Sequence, residues 1–514
     1  MTRTQNIKKN LMFNIIKFVT QLVFQFVLRT ILIHYMGAEY LGLNGLFTNI
    51  FNVLNLAELG IGSAIVFNMY KPIADNDIEK IKSLQDLYKK FYKIVATIVG
   101  SVGIAICPFI KYLMNGGVSA NINVYVLYIM YLAYTLVGYW SAHKRSLLFA
   151  YQRNDVENKI KTICIAGMTI IQIVVLMIFR NYYLYFSMSI LFNLIESILI
   201  QIIAKKMYPE ISGKPQPLDS ETKKSITKNI FALSLNQIGW VIVLSTDNLL
   251  ISSFLGVGTL GVYSNYSLIT SSITSFFMLI YNALTASVGN LMVTAERSYA
   301  YERFKKIYFV FAYLSSFSMI CLVCLFQPFI LKWTGGGNYI LNFDTVIFIC
   351  LSFYFMRMRQ GVLTFKEAGG YYRQDMWRPI IEAIVNLVAS IVLVKLIGLS
   401  GIFVGTIIST LVAPFWVEPC VLYKYYFKRS VKSYFVRYLL DFLIMCAGCV
   451  ITYFICSFIP DGSIWMLILK LIVCIVVSNM LLILAYFPTK EFKELFELLK
   501  KFMKNIFHRK KTSK

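Results

Sequence analysis

Acidic side chains are scarce in this chain. Asp and Glu fill 25 of 514 positions against 50 Lys and Arg, and charged residues of both signs make up only 15%. A soluble globular chain carries about a quarter charged residues, and at this length it divides into several cores joined by polar linkers. Long polar segments are missing too, which excludes that organisation. There is no folded basic surface to bind nucleic acid, so the net charge of +25 needs another explanation. No Gly-x-x-x-x-Gly-Lys-Ser/Thr motif occurs, which excludes a P-loop ATPase. No cleavable signal peptide is evident: the first apolar run, Leu11 to Met36, is longer than a signal h-region and has no small-x-small exit.

Hydrophobic residues are what the chain has, at 58%. They fall in runs of roughly 20, long enough to cross a ~30 Å hydrocarbon core. About fourteen spans are expected, near 10–33, 44–70, 91–114, 122–145, 160–180, 184–204, 229–254, 261–290, 304–331, 344–365, 379–397, 401–423, 433–457 and 464–487. Forty of the fifty Lys and Arg then lie in segments of one side, and only Lys111, Arg180, Lys332 and Lys395 lie on the other. The positive-inside rule therefore predicts both termini in the cytoplasm, and the basic excess is a topology signal. The ten cysteines sit in or beside apolar spans. Cys321-x-x-Cys324 and Cys446-x-x-Cys449 have no partner pair or histidine nearby, so they are expected to be small buried hydrophobes and not metal ligands.

The chain matches itself at an offset of 219: Asn10 falls on Asn229, Gly37 on Gly256, Leu41-Gly42 on Leu260-Gly261, and Lys205 on Lys424. The expected fold is thus an all-α integral membrane protein, two parallel six-helix bundles related by a pseudo-two-fold along the membrane normal, plus two C-terminal helices. The segments are an N-terminal bundle at 1–204, a cytoplasmic linker at 205–228 and a C-terminal bundle at 229–424. Spans 13 and 14 follow at 425–487, and then a basic amphipathic tail at 488–514 suited to an anionic membrane surface.

Polar residues inside spans point to a water-filled cavity. Span 1 carries Lys17, Gln21, Gln25 and Arg29 on one face; span 2 carries Asn52, Asn55 and Glu58; span 7 carries Asn236 and Asp247; span 10 carries Arg357 and Arg359. The plain alternative is that many such side chains only bond neighbouring helices. Lys17 is placed to snorkel, and Asp247 serves equally as an ion-coupling carboxylate or as the partner of a cation such as Arg29. Arg357, which shares a face with Tyr354, Gln360 and Thr364, is the better cavity candidate of its pair, and Glu382, in the first turn of span 11, suits the helix dipole at least as well as any chemistry. Glu196 and His143 have no assigned role. The expected substrate cavity is therefore lined by Lys17, Gln21, Gln25, Arg29, Asn52, Asn55, Asn236, Asp247 and Arg357, with Glu58 and Asp247 as candidates for H+ or Na+ coupling. Fixed cations among amides and hydroxyls suit an anionic head bearing sugars. No catalytic residue, metal or other cofactor is expected.

Four segments in order resemble bacterial Wzx-type polysaccharide flippases: Arg29 to Phe47 (RTILIHYMGAEYLGLNGLF), Leu56 to Ala64 (LAELGIGSA), Asp247 to Gly256 (DNLLISSFLG) with Gly261-Val-Tyr-Ser, and Phe365 to Arg373 (FKEAGGYYR) leading to Glu382-Ala-Ile-Val-Asn-Leu and Gly401-Ile-Phe-Val-Gly. The resemblance spans about residues 1–430. It implies the multidrug/oligosaccharidyl-lipid/polysaccharide exporter superfamily, with two bundles alternating access around a cavity. It further implies an undecaprenyl-pyrophosphate-linked oligosaccharide as cargo, carried from the inner to the outer leaflet of the bacterial cytoplasmic membrane for capsule, O-antigen or other surface polysaccharide. Membrane lipids and other polysaccharide-assembly proteins are the implied partners. A basic residue in span 1 handles substrate in related peptidoglycan-precursor flippases, and Arg29 occupies a comparable place. The rivals are a cation-coupled multidrug exporter, whose cationic cargo an Arg- and Lys-rich cavity would repel, and a membrane glycosyltransferase or polymerase. The latter usually needs a long outer loop with catalytic carboxylates, and none is present here.

Overall fold

The computed structural model describes residues 3–58, 61–213, 215–218, 224, 226, 245–371, 373–498 and 500. Among them there is no strand. Twelve helices are long and apolar enough to cross a membrane, and they match expected spans 1, 3–6 and 8–14. Large apolar side chains such as Ile178, Val450 and Leu484 stand exposed on these helices, as surfaces that face lipid do.

Contacts divide the chain into two compact units, Met1–Ser264 and Asn265–Lys514. The boundary falls beyond the expected linker. In the first unit, α1 (Arg3–Met36) is followed by α2 (Ala38–Leu54), α3 (Ile61–Ala74), α4 (Ile78–Ile106), α5 (Val124–Ala150), α6 (Asn154–Phe179) and α7 (Tyr182–Met207). Expected span 2 is not one helix: a 3-10 turn at Asn55–Glu58 separates α2 from α3. Asn and Gly are weak helix formers, and Asn55, Gly60 and Gly62 cluster at this break. Most of expected span 7 lies outside the described residues. Its end, 245–250, is helical and runs into a π-turn at Ile251–Leu255.

The 219-residue repeat has a structural counterpart. Gly37 (φ 79°, ψ −177°) and Gly256 (φ 89°, ψ 163°) occupy the same backbone region, one essentially closed to residues with a Cβ. Each opens a helix, α2 and α8 (Val257–Thr294). The two helices then touch reciprocally within the first unit. A Cβ on Gly42 would overlap the Val257 carbonyl oxygen, and one on Gly261 would overlap the Ala38 carbonyl oxygen. Val257 and Gly261 stand 219 positions after Ala38 and Gly42, so the crossing follows the repeat. Small residues let helix backbones approach this closely in a membrane.

The second unit continues with α9 (Arg297–Thr334), α10 (Phe343–Met358), α11 (Gln360–Ala368), α12 (Arg378–Ile397), α13 (Leu399–Val412), α14 (Pro414–Val421), α15 (Lys432–Ser457) and α16 (Ile464–Tyr486). Helices α12 and α13 pack through Gly401 and Gly405, stitched by Asn386 donating to Thr406 (3.0 Å). The last two helices pack on α9 around Phe309, Ile320, Cys324, Cys456, Cys474 and Tyr486. Cys321 and Cys474 sulfurs lie 3.6 Å apart there, and no described group of His, Cys, Asp or Glu could hold a metal. The tail, as far as it is described, begins by docking onto this core through Phe492 and Leu495, with Glu494 paired to Lys306.

Candidate functional site

The first unit encloses a cavity of about 670 Å³. Its lining repeats at helical spacing on four helices: Gln21, Gln25 and Leu28 on α1; Thr135, Tyr139, Ala142 and Arg145 on α5; Lys161, Ile165 and Met168 on α6; Ser189, Asn193 and Glu196 on α7. Residues at i, i+3/i+4 and i+7 share one helix face, so each helix presents one stripe to the same space, polar except at Leu28, Ala142, Ile165 and Met168. The 3-10 turn adds Asn55 and Glu58, and α4 adds Tyr92. The break in span 2 therefore has a use. It places Asn55 and Glu58 in the lining, while Asn52, one turn earlier on α2, is exposed.

The charges in the cavity balance. Arg145 Nη2 lies 3.0 Å from Glu196 Oε1, with side-chain exposures of 24% and 10%. Glu58 accepts a hydrogen bond from the Tyr92 hydroxyl and feels the charge of Arg145. Lys161 is the second cation of the lining. Tyr139 donates to Asn55 Oδ1, Asn193 Nδ2 to the Tyr134 carbonyl (2.8 Å), and Gln172 Nε2 to Ser189 Oγ (2.7 Å). Arg145 Nε is buried with no hydrogen-bond partner. Arg145 lines the cavity, where a guanidinium can donate to an oxyanion or a sugar hydroxyl. Beside the cavity, at the turn joining α5 to α6, Asp155 accepts from Arg153 Nε (2.9 Å), and this bond holds the Arg153 guanidinium above its ordinary pKa.

Of the residues expected from sequence, this cavity collects Gln21, Gln25, Asn55 and Glu58. Lys17 lies outside its lining and donates to Asn158 Oδ1 on α6 (2.9 Å). Arg29 also lies outside it and donates to Ser264 Oγ. Asn52 is exposed, Asp247 is half-buried on the helical residues 245–250 away from the lining, and Asn236 is outside the described residues. Arg145, Lys161, Tyr92 and Tyr139 were not foreseen. Arg145 and Lys161 sit in a segment that reads as an inside loop, yet α5 runs on to Ala150 and α6 starts at Asn154. The signal was present in the register: Arg145 continues the stripe of Gly138 and Ala142. Glu196, without a role in the sequence, is Arg145's partner. His143 is buried, and its carbonyl accepts from Gln85 (2.9 Å).

Arg357 belongs to the second unit. It is 4% exposed, its guanidinium lies 5.8 Å from the Phe353 ring centroid, and its Nε has no hydrogen-bond partner. Its neighbour Arg359 is the centre of a buried ion network. It donates to Glu382 (2.9 Å) and, as a fork, to both oxygens of Glu418 (2.7 and 3.1 Å). Arg378 bonds Glu382 (2.7 Å) and Asp375 (3.1 Å), and Lys366 closes the chain on Asp375. Three cations and three carboxylates cancel. Glu382 is thus held by two arginines, a stronger cause than the helix dipole.

No family profile and no curated protein sequence matches the chain. Solved structures do. The chain resembles a lipid II flippase, MurJ, in an inward closed conformation (TM-score 0.64, 16% identity, 93% of this chain and 99% of that one). It also resembles a multidrug resistance MATE family transporter of the MOP superfamily in an inward-facing conformation (TM-score 0.61, 14% identity, 78% and 94%). A third likeness is to the Vibrio cholerae MATE transporter VcmN in its bent form (TM-score 0.54, 12% identity, 82% and 97%). At these identities the likeness establishes architecture: the chain has the all-α membrane fold shared by MurJ and the MATE transporters of the MOP superfamily.

Proposed function

We propose that the protein is a flippase. It moves an undecaprenyl-pyrophosphate-linked oligosaccharide from the cytoplasmic to the outer leaflet of the bacterial cytoplasmic membrane by alternating access, with no chemical step. The observation that carries this reading is the 670 Å³ cavity of the first unit. Amides (Gln21, Gln25, Asn55, Asn193), hydroxyls (Tyr92, Tyr139, Ser189) and the cations Arg145 and Lys161 share one space there. That set matches a hydroxyl-rich head that also carries negative charge. Fold likeness to a lipid II flippase over nearly the whole of both chains supports the same reading. Glu58 is the carboxylate we assign to H+ or Na+ coupling, because it sits at the break of span 2, where a helix–turn–helix can change shape.

A second reading, a cation-coupled multidrug exporter, is favoured by Glu58 and Glu196 in the same cavity, since two carboxylates suit a cationic cargo. Depleting the protein in cells that make a surface polysaccharide separates the two. The flippase reading expects lipid-linked repeat units to collect in the inner leaflet, with no change in sensitivity to lipophilic cations. Repeat units still reaching the outer leaflet, with no other flippase present, would remove it.

A further inference from the structure

The two C-terminal helices have no counterpart in the repeat, and the first of them lines a second pocket. It has a volume of about 150 Å³ and lies at the starts of α9 and α15. Tyr301, Lys305 and Tyr308 come from α9, Ser433 and Arg437 from α15, and Glu491 from the tail. Segments 301–309, 423–437 and 490–494, which meet here, hold ten basic residues against three acidic ones. Arg429 adds its guanidinium 4.5 Å from the Tyr301 ring centroid.

Donors outnumber acceptors in this pocket. Arg437 Nη2 is buried with no hydrogen-bond partner, while its Nε is spent on Asp441 (3.1 Å to Oδ1). The buried Tyr308 hydroxyl turns to Asp441, but that carboxylate already serves Tyr486 (3.1 Å) and Arg437, so three donors compete for it. Buried donors short of acceptors are costly, and Arg437 Nη2 with the shared Tyr308 hydroxyl beside Lys305 call for one group with several acceptor oxygens and negative charge. The pocket is too small for a whole lipid or a nucleotide, yet it suits a phosphate. Leading away from Arg437 along α15, the large apolar side chains Val436, Leu439, Leu440 and Leu443 are all more than half exposed. A phosphate in the pocket can therefore leave acyl chains lying against that strip.

We infer that this pocket binds the phosphate of an anionic phospholipid headgroup, with Arg437, Tyr308 and Lys305 as its donors. The extra helix pair then supplies a lipid-recognition site that the two six-helix repeats lack. Basic pockets between helices at a membrane surface bind such headgroups, each cation adding about fivefold in affinity.

The test uses the full-length protein in a neutral detergent, with thermal unfolding and native mass spectrometry as readouts. Phosphatidylglycerol, phosphatidylcholine and inorganic phosphate are titrated separately. Phosphatidylglycerol is expected to bind saturably and raise the midpoint, and phosphatidylcholine is not. Lys305→Gln and Tyr308→Phe should each weaken phosphatidylglycerol binding about fivefold while leaving the unliganded midpoint nearly unchanged. Tyr308→Phe guards against misfolding, since it removes only one oxygen. Saturation by inorganic phosphate with no added effect of phosphatidylglycerol would overturn the lipid assignment. Equal binding of both lipids, or variants that bind like the parent, would overturn the site.

Discussion

Replacing Arg145 with Gln separates cargo binding from folding in the first unit. The guanidinium lines the cavity 3.0 Å from Glu196, and its buried Nε has no hydrogen-bond partner. A hydrogen bond from a charged donor is worth about 1.5–3 kcal/mol net, so its loss should weaken binding of an anionic sugar head by roughly 10- to 150-fold. There is also a structural cost. Breaking a fully buried pair costs about 3–5 kcal/mol because one charge is stranded. Here Arg145 is 24% exposed and Glu196 10%, so water screens the pair and about 1–3 kcal/mol is expected. Arg145→Gln/Glu196→Gln removes the stranded charge, so it should recover most of the unfolding midpoint and none of the affinity. Arg145→Lys keeps the charge but loses the fork and should fall between. The assays are thermal unfolding in detergent and concentration-dependent headgroup transfer in proteoliposomes. An Arg145→Gln protein that transfers cargo with unchanged half-saturation would refute the reasoning.

Arg359→Met should destabilise the second unit by about 3–5 kcal/mol, since Glu418 and Glu382 would share Arg378 alone, and differential scanning should show a midpoint drop on the order of 10 °C; a change within about 1 °C would show the network to be dispensable. Gly42→Val places a side chain where the Val257 carbonyl stands, so the α2–α8 crossing must open. A reporter pair at Ala38 and Val257 should show the helices farther apart, and unchanged spacing would contradict the close approach. Glu58→Gln should still transfer cargo down its own gradient but lose acceleration by an imposed H+ or Na+ gradient; retained acceleration would move coupling to another carboxylate such as Asp247.

Hydropathy and basic residues made the helical architecture legible because each span must satisfy its backbone bonds internally and the loops carry their sign of charge. The repeat was legible through Gly37 and Gly42, whose geometry only glycine tolerates and which therefore recur at Gly256 and Gly261. Other features depended on the third dimension. Asn55, Gly60 and Gly62 weaken the helix at Asn55–Glu58, but glycine is common inside membrane helices, so span 2 read as continuous. Arg145 and Lys161 read as loop charges because helix ends that run past the expected span carry no hydropathy signal. Glu196 stands 51 positions after its partner Arg145, and Arg359 is 59 positions before Glu418. Pairings at that range follow packing and cannot be read from spacing. Of the expected cavity cations, Lys17 and Arg29 are engaged on Asn158 and Ser264, and Arg357 belongs to the other unit. The first-unit cavity is lined by Arg145 and Lys161, balanced by two carboxylates.

The most direct measurement is headgroup transfer by the purified protein in sealed proteoliposomes. A labelled undecaprenyl-pyrophosphate oligosaccharide is placed in one leaflet and its exposure in the other is followed with an impermeant quencher. Protein-dependent transfer, absent for a lipophilic cation such as ethidium and with its half-saturation raised in Arg145→Gln, is the predicted result. Transfer at the rate of empty liposomes, with ethidium carried instead, would contradict the account and make the protein a drug exporter.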